Sequence, residues 1–337
     1  MSQNQTQENT LIHEDEVNHL MQCLPKASTM NNQLELINYQ DTWYASDSKF
    51  LRSILMFQRH FVPRDTDLII ASSPKTGTTW LKSLLYAIVT RDEYPIKQTP
   101  LLNYHPHELV YRLENDIYGN AFEFPRPNHL NDLPSPRLFH THLPFTGLPE
   151  SIIESKCRIV YISRNPFDTF VSLWFFQTKA MKLMDENFNS PSMEDYFEDF
   201  CNGLVPHGPF FEHINGYWDR SLEDPNKVLF LKYEDLKDDP RSHVKRLAEF
   251  IGMPFSSEEE NEGVLDGIIE FCSIKNLKEL EVNKNGVLSK YFEKSSFFRN
   301  GNVGDWAQYF TPSMVKKMNE LIEQKFVSNG LFFQVNP

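Results

Sequence analysis

Residues 66–81 read TDLIIASSPKTGTTWL, an apolar run followed by a short loop and the start of a second apolar segment. Small residues, proline and glycine between two apolar segments predict a buried strand, a tight loop and a helix N-terminus. Backbone amides, the helix dipole and the ammonium of Lys75 favour anions in such a loop. The stretch predicts a strand-loop-helix unit that binds phosphate or sulfate. A strand-to-helix turn that binds nothing is the alternative that this stretch alone leaves open.

The composition narrows the class of ligand. A chain of 337 residues with 40% hydrophobic content is long enough for one large α/β domain or two small ones. Its formal net charge of -13, from 33 basic and 46 acidic residues, argues against general nucleic-acid binding. An anionic ligand must therefore be bound by a local basic cluster, and we expect that ligand to be small.

Cysteine usage and the N-terminal residues predict the compartment. The four cysteines have no metal-ligand spacing and are typical of free thiols in a reducing compartment; they are Cys23, Cys157, Cys201 and Cys272. Residues 1–20 are polar and lack the apolar core of a signal peptide, and no apolar run approaches the length of a membrane span. We expect a cytoplasmic protein with a disordered tail over residues 1–20 and one folded domain over residues 21–337.

Three further segments repeat the β-α pattern. Residues 137–145 alternate as a strand that stops at proline, residues 158–176 read as a strand followed by a helix, and residues 227–235 form another apolar run. This repetition predicts a single α/β domain with a central parallel β-sheet flanked by helices. Because ligands bind at the carboxyl edge of parallel strands, we expect the residues that follow each strand to meet at one site.

Several polar residues fall at that predicted edge. Alternation places His140 and His142 on one face of their strand, close to the loop of Lys75. Arg164 ends the next strand and Ser172 follows in the helix, and their side chains both suit a phosphate. The alternatives are a structural histidine, a surface arginine and a serine in the helix interior.

Four motifs in this order resemble cytosolic sulfotransferases of the plant type. They are PKTGTTWL at 74–81, RLFHTHLP at 137–144, RNPFDTFVS at 164–172 and RNGNVGDWA at 299–307. The resemblance implies a P-loop-like phosphosulfate-binding unit whose donor is 3'-phosphoadenosine-5'-phosphosulfate (PAPS), and it implies no metal. The lysine precedes the glycine, unlike the nucleotide-triphosphatase P-loop, so a P-loop kinase is a weaker alternative.

The resemblance also implies roles for individual residues. His142 corresponds to the catalytic base, and Lys75 to the residue that stabilises the leaving phosphate. The implied donor contacts are Lys75, Thr76, Gly77, Thr78, Thr79, Trp80, Arg164, Ser172, Tyr233, Ser273, Arg299, Asn300 and Gly301. The acceptor is expected to be a small hydroxylated molecule such as a flavonoid, a steroid or a hydroxyjasmonate. Its candidate contacts are Phe145, Phe176, Tyr104 and His140, with Trp43 or Tyr44 in addition; packing in the core is the alternative for the aromatic residues.

The sequence departs from the family pattern at three positions on the donor side. Ile274 stands where the family commonly has phenylalanine, and Asn300 and Ala307 stand where it has lysine. A protein that binds the donor nucleotide without transferring sulfate therefore remains an alternative. Of the dimer motif of animal members only Thr311 is present, so we expect a monomer or a weak dimer.

Residues 95–136 are rich in proline and histidine and show little periodicity. We expect a long irregular insertion that covers the binding site. His105 and His107 lie within it, and without a third ligand at suitable spacing they are expected to be solvated loop residues rather than metal ligands.

Overall fold

The computed structural model describes residues 12–119, 127–289 and 292–335. Five parallel strands form a central sheet in the order β5-β6-β4-β7-β8, and shorter strands form an antiparallel three-stranded sheet and a two-stranded hairpin. The strands are β1 (Lys26–Thr29), β2 (Leu34–Tyr39), β3 (Thr42–Ala45), β4 (Leu68–Ala71), β5 (Tyr111–Arg112), β6 (Leu138–Thr141), β7 (Arg158–Ser163), β8 (Val228–Lys232), β9 (Val287–Ser289) and β10 (Phe292–Glu293).

Helices flank the central sheet and connect its strands. The α-helices are α1 (Glu14–Cys23), α2 (Ser48–His60), α3 (Thr78–Val89), α4 (Pro106–Leu109), α5 (Glu150–Glu154), α6 (Pro166–Met184), α7 (Met193–Cys201), α8 (Phe210–Glu223), α9 (Tyr233–Asp238), α10 (Pro240–Phe250), α11 (Ser257–Asn261), α12 (Val264–Phe271), α13 (Ile274–Glu279), α14 (Glu281–Lys284) and α15 (Pro312–Lys325). None of the helices within the described ranges is long and apolar enough to cross a membrane.

The central sheet is covered on both faces. In β4, Leu68 and Ile70 belong to one apolar cluster with α3, whereas Ile69 and Ala71 belong to a second cluster on the opposite face. Successive side chains of a strand point to opposite faces, and both faces of a parallel sheet are usually buried. This architecture confirms the predicted α/β class with a central parallel sheet.

An ion pair lies at the amino end of the sheet. Asp67 precedes β4 and Arg137 precedes β6, and these strands pair with Leu68 opposite Leu138. The guanidinium Nε lies 2.8 Å from Asp67 Oδ1, and both side chains are at most 1% exposed. The pair therefore links the starts of two neighbouring strands at the end of the sheet opposite the Lys75 loop.

The structure differs from the prediction in two segments, the N-terminal tail and the irregular insertion. Residues 12–20 were expected to be part of a disordered tail, but helix α1 occupies Glu14–Cys23 and buries Val17 against the core; residues 1–11 lie outside the described ranges. The predicted irregular insertion contributes β5 to the sheet beside β6. A strand of two residues is too short to produce a periodic pattern, and residues 120–126 of the insertion are not among those described.

Candidate active site

The loop after β4 has the geometry of an anion-binding turn. Lys75 has a backbone φ of 71° and Gly77 one of 113°, and Gly77 directly precedes helix α3. A Cβ atom on Gly77 would lie 2.8 Å from the Tyr233 ring, so glycine permits both the turn and this close approach. The first turn of α3 consequently begins at the carboxyl edge of the sheet.

Thr76 does not contact the cleft through its side chain. Its hydroxyl lies 2.8 Å from the carbonyl oxygen of Ser73 and 2.9 Å from that of Ile162, and the residue is fully buried. The predicted donor contact of Thr76 therefore stays a prediction for its backbone amide, because its hydroxyl is already bonded within the protein. The hydroxyl instead links the loop to β7 through its hydrogen bond to Ile162 O.

Lys75 brings an unpaired positive charge into the site. Its Nζ lies 4.0 Å from the centroid of the Phe176 ring and 3.4 Å from Ser296 O. No carboxylate of the described residues lies within 4.0 Å of it. Burial, together with the charges of Arg299 and Arg164, lowers the pKa of Lys75 to about 7. The arrangement of three cations near one another fits a ligand that carries several negative charges.

His142 is held in one tautomer. Its Nδ1 lies 2.7 Å from the carbonyl oxygen of Ser72. A carbonyl only accepts hydrogen bonds, so we infer that Nδ1 carries the proton and that Nε2 keeps a free lone pair. Burial lowers the pKa of His142 well below its ordinary value, and the neighbouring His207 and Arg112 act in the same direction. The imidazole is therefore neutral and able to accept a proton at neutral pH.

A single cleft unites most of the predicted residues. Its lining is Pro74, Lys75, Gly77, Thr78, Thr79, Trp80, His107, His142, Arg164, Ser172, Phe176, Tyr233, Ile274, Phe297, Phe298, Arg299 and Gly301. An adjoining cleft shares Trp80, Tyr233, Ile274 and Gly301 and also contains Ser273 and Asn300. Of the predicted donor contacts, only Thr76 lines neither cleft.

Two guanidinium groups form the cationic end of the cleft. Arg164 Nη2 lies 3.4 Å from Asp168 Oδ2, and Arg299 Nη1 lies 3.1 Å from Asp305 Oδ2. In both arginines Nε is buried without a hydrogen-bond partner among the described residues. Because buried donors rarely stay unpaired, the two groups fit an anion. Ser172 lines the same cleft and adds a hydroxyl group.

The predicted adenine side is built around Tyr233. Its ring lies edge to face with Trp80 at a centroid distance of 5.1 Å. Its hydroxyl donates to Gly301 O at 2.7 Å, so the predicted hydrogen bond to adenine requires the phenolic oxygen to act as the acceptor. Gly301 has a φ of 66°, and a Cβ there would lie 2.7 Å from Ile274 Cγ2. Ile274 thus packs directly on the loop that follows Arg299.

Two lysines that sequence reasoning missed lie beside this loop. Lys237 Nζ donates to Gly301 O, and Lys278 Nζ donates to Arg299 O at 3.0 Å. Both side chains line the adjoining cleft, whereas Asn300 donates to Asp305 Oδ2 at 2.7 Å. Lys237 and Lys278 therefore bring positive charge near the position where Asn300 replaces a lysine of the family pattern.

Of the four acceptor contacts predicted first, only Phe176 lines the cleft. His140 is fully buried beside His142, at a centroid distance of 4.3 Å, and Tyr104 is 54% exposed. Phe145 packs against Tyr217 at 5.6 Å. The predictions for His140, Tyr104 and Phe145 are therefore not supported by their positions. Pro144 ends the strand pattern, so alternation gives no direction for Phe145.

Tyr44 and His207 form a further group of rings beside His142. Tyr44 is buried and lies edge to face with His207 at 5.5 Å, and the ring of His207 lies 5.4 Å from that of His142. Of the two additional acceptor candidates, Tyr44 therefore contacts His207, which in turn lies beside His142.

The histidines of the insertion are not solvated. His105 is fully buried, and His107 lines the cleft with its Nε2 3.1 Å from Thr79 Oγ1. The prediction of solvated loop residues is wrong, because the insertion folds over the sheet edge. Within the described part of the chain, no group of three His, Cys, Asp or Glu residues is arranged to hold a metal ion.

The fold and the cleft define an α/β protein with a P-loop-like anion site, a neutral histidine and three cations. Residues 65–330 match the family model described as the sulfotransferase domain. The chain belongs to this family, which confirms the predicted family and the enzyme class, a sulfotransferase.

Relatives and solved structures agree with this assignment. Cytosolic sulfotransferase 5 of Arabidopsis thaliana is 45% identical over 321 residues, which cover 95% of this chain and 97% of the relative. A sulphotransferase structure from Arabidopsis thaliana has a TM-score of 0.71 at 35% identity and covers 96% of this chain and 98% of its own. The name of the first relative agrees with the predicted cytosolic location. The fold is also shared with mouse sulfotransferase SULT7A1 complexed with PAP, at a TM-score of 0.64 and 24% identity over 86% of this chain and 93% of the mouse chain.

Proposed function

We propose that the protein transfers the sulfuryl group of PAPS to a hydroxyl group of a small organic acceptor. The observation that carries this proposal is the position of His142 and Lys75 in one cleft. His142 presents an unprotonated Nε2, and Lys75 presents an ammonium without a carboxylate partner among the described residues. Membership of the sulfotransferase family supplies the reaction class.

His142 acts as the general base. Its Nε2 accepts the proton of the acceptor hydroxyl as the new bond between that oxygen and sulfur forms. Ser72 O accepts the hydrogen bond from Nδ1 both before and after this step, so the resulting imidazolium keeps its orientation. Glu114 Oε1 accepts from the backbone N–H of His142 at 2.9 Å and holds the residue at the end of its strand.

Lys75 stabilises the leaving group. As the bond between sulfur and the phosphate oxygen breaks, negative charge builds on that oxygen, and the ammonium interacts with it most strongly in the transition state. The low pKa of Lys75 in the free protein rises when a polyanion binds beside it, because the opposite charge favours the protonated form. The product that leaves is the bisphosphate of the donor.

The remaining residues of the donor site bind PAPS and orient it. Arg164, Ser172 and Arg299 bind the 3'-phosphate through charge-assisted hydrogen bonds. Trp80 supplies an aromatic face for adenine, and Ile274 supplies an aliphatic one. The acceptor side is apolar around Phe176, which suits the ring of a flavonoid, a steroid or a hydroxyjasmonate. We further propose that the protein has no nucleic-acid or membrane partner and that the chain acts as a monomer or a weak dimer.

A donor-dependent screen tests the proposal. The purified protein is incubated with PAPS and a panel of hydroxylated flavonoids, steroids and hydroxy acids, and sulfated products are detected by mass spectrometry. The expected result is a product with at least one acceptor class and release of the bisphosphate in equal amount. Tight binding of the bisphosphate without a sulfated product from any acceptor would favour a silent nucleotide-binding protein. Magnesium-dependent ATP turnover would favour a kinase.

A further inference from the structure

Lys82 is a buried cation that the mechanism above does not use. It lies in α3 and is fully buried, with its Nζ 2.8 Å from Val110 O and 2.9 Å from His107 Nδ1. No carboxylate in the described ranges lies within 4.0 Å of it. A buried ammonium without a counterion is unfavourable, and a methionine would fill similar space without this penalty. Packing in the core therefore does not account for the amino group of Lys82 at this position.

His107 connects Lys82 to the cleft. Its Nδ1 faces Lys82, and its Nε2 lies 3.1 Å from Thr79 Oγ1. Thr79 and His107 both line the cleft that also contains Lys75 and His142. Thr79 Oγ1 makes no other hydrogen bond with a described residue. The three side chains form a continuous chain from the core to the candidate donor site.

The direction of each hydrogen bond follows from the donor at its buried end. The protonated form of Lys82 has no lone pair and can only donate, so His107 Nδ1 accepts this hydrogen bond whenever Lys82 is charged. The ring proton of His107 then resides on Nε2 and is donated to Thr79 Oγ1. Because Oγ1 accepts this bond, the hydroxyl proton of Thr79 is left to point toward a ligand in the cleft.

We propose that Lys82 and His107 are positioning residues that orient the Thr79 hydroxyl as a hydrogen-bond donor to the phosphosulfate group. This inference rests on the proposed function. Thr79 touches the donor directly, whereas Lys82 and His107 act through it. An oriented donor aimed at the oxygen on which charge builds lowers the barrier because it needs no reorganisation during the reaction.

The protonation state of His107 agrees with this role. Burial lowers the pKa of His107 well below its ordinary value, and Lys82, His105, His142 and Arg112 act in the same direction. The ring is therefore neutral, with one proton to place. Burial also lowers the pKa of Lys82 to about 7, while Asp116 and Glu114 raise it and Arg112 lowers it. The electrostatic surroundings thus keep His107 an imidazole whose tautomer its neighbours decide.

A double-mutant cycle tests the coupling. Thr79→Val should lower kcat by about 100-fold, and Lys82→Met, which leaves the hydroxyl present but free to rotate, by about 10-fold. If Lys82 acts through Thr79, the double variant should be no slower than Thr79→Val alone. A decrease of about 1000-fold in the double variant, the product of the two single effects, would overturn the proposal.

Lys227→Met is the matched control. Lys227 is also a buried lysine bonded to backbone carbonyls, with Nζ 2.6 Å from Ile152 O, and it directly precedes β8 at the amino end of the sheet. Removal of this ammonium should leave kcat of the folded enzyme unchanged. A decrease in kcat equal to that of Lys82→Met would attribute the effect to lost buried charge in general and overturn the proposal.

A measurement without turnover separates this inference from the proposed function. The nitrogen chemical shifts of His107, assigned in the histidine-labelled protein by comparison with His107→Gln, report its tautomer with and without the bisphosphate product. At about pH 6, where Lys82 with its pKa of about 7 is mainly protonated, the proton is expected on Nε2 in both states, and its presence on Nδ1 would overturn the proposal. If the tautomer is as expected but no acceptor is sulfated, the proposed function fails while the hydrogen-bond chain stands. This measurement on the unmodified enzyme remains decisive even if Lys82→Met does not fold.

Discussion

Raising the pH above 7 should weaken binding of the bisphosphate product through Lys75. Burial and the charges of Arg299 and Arg164 lower the pKa of Lys75 to about 7 in the free protein. A bound polyanion raises this pKa, so binding is coupled to uptake of a proton. The contribution of Lys75 to affinity is therefore fully present below pH 7 and is lost as the pH rises.

The size of the effect follows from the protonated fraction of Lys75. With a pKa of about 7, this fraction falls from about one half at pH 7 to about 1% near pH 9. If the pKa in the complex exceeds about 9, the affinity decreases about 50-fold over this range, which corresponds to about 2.3 kcal/mol. The phosphate groups contribute little above pH 7, because their second pKa is about 6.

Isothermal titration calorimetry in buffers of different ionisation enthalpy measures the dissociation constant and the number of protons taken up on binding. The expected result is a dissociation constant that rises with pH, with proton uptake that approaches one per site. Lys75→Arg is the control, because its guanidinium stays charged and should remove the pH dependence. An affinity of the unmodified protein that stays constant between pH 7 and pH 9 would refute the reasoning, and an unchanged slope in Lys75→Arg would point to a different titrating group.

Three further substitutions test other parts of the structure. Arg137→Met should lower the free energy of unfolding by about 3 to 5 kcal/mol, because it leaves the buried carboxylate of Asp67 unpaired. Urea denaturation measures this free energy, and a loss below about 1 kcal/mol would show that the pair is not needed. Gly301→Ala should weaken binding of the bisphosphate at least about tenfold, since its Cβ would lie 2.7 Å from Ile274 Cγ2 at a backbone φ that favours glycine; calorimetry with unchanged affinity would contradict this. Phe176→Leu should raise the KM for the acceptor whereas Phe145→Leu should not, because only Phe176 lines the cleft, and steady-state kinetics with the reverse pattern would contradict the acceptor side assigned here.

The parts of the site that follow strands could be predicted from the sequence. The apolar runs of β4, β6, β7 and β8 predict a parallel sheet, and the carboxyl ends of such strands share an edge. Lys75, His142, Arg164 and Tyr233 each come shortly after one of these runs, so their convergence in one region follows from topology.

The irregular segments could not be predicted in the same way. Tyr104 and His107 are three residues apart in the insertion, yet one is exposed and the other lines the cleft. No periodic backbone sets side-chain direction there, so tertiary packing decides it. Thr76 differs for another reason, since its hydroxyl satisfies backbone carbonyls inside the loop. Lys82 did leave a signal, because it is the one charged residue in the largely apolar run of residues 80–89, WLKSLLYAIV.

Measured turnover and product affinity of His142→Ala test the central claim most directly. With an acceptor identified by the screen, the substitution should lower kcat by at least about 100-fold, because it removes the group that accepts the hydroxyl proton. The affinity for the bisphosphate should stay close to that of the unmodified protein, because the binding groups of Lys75, Arg164 and Arg299 remain in place. Near-normal turnover in His142→Ala would contradict the assignment of His142 as the general base.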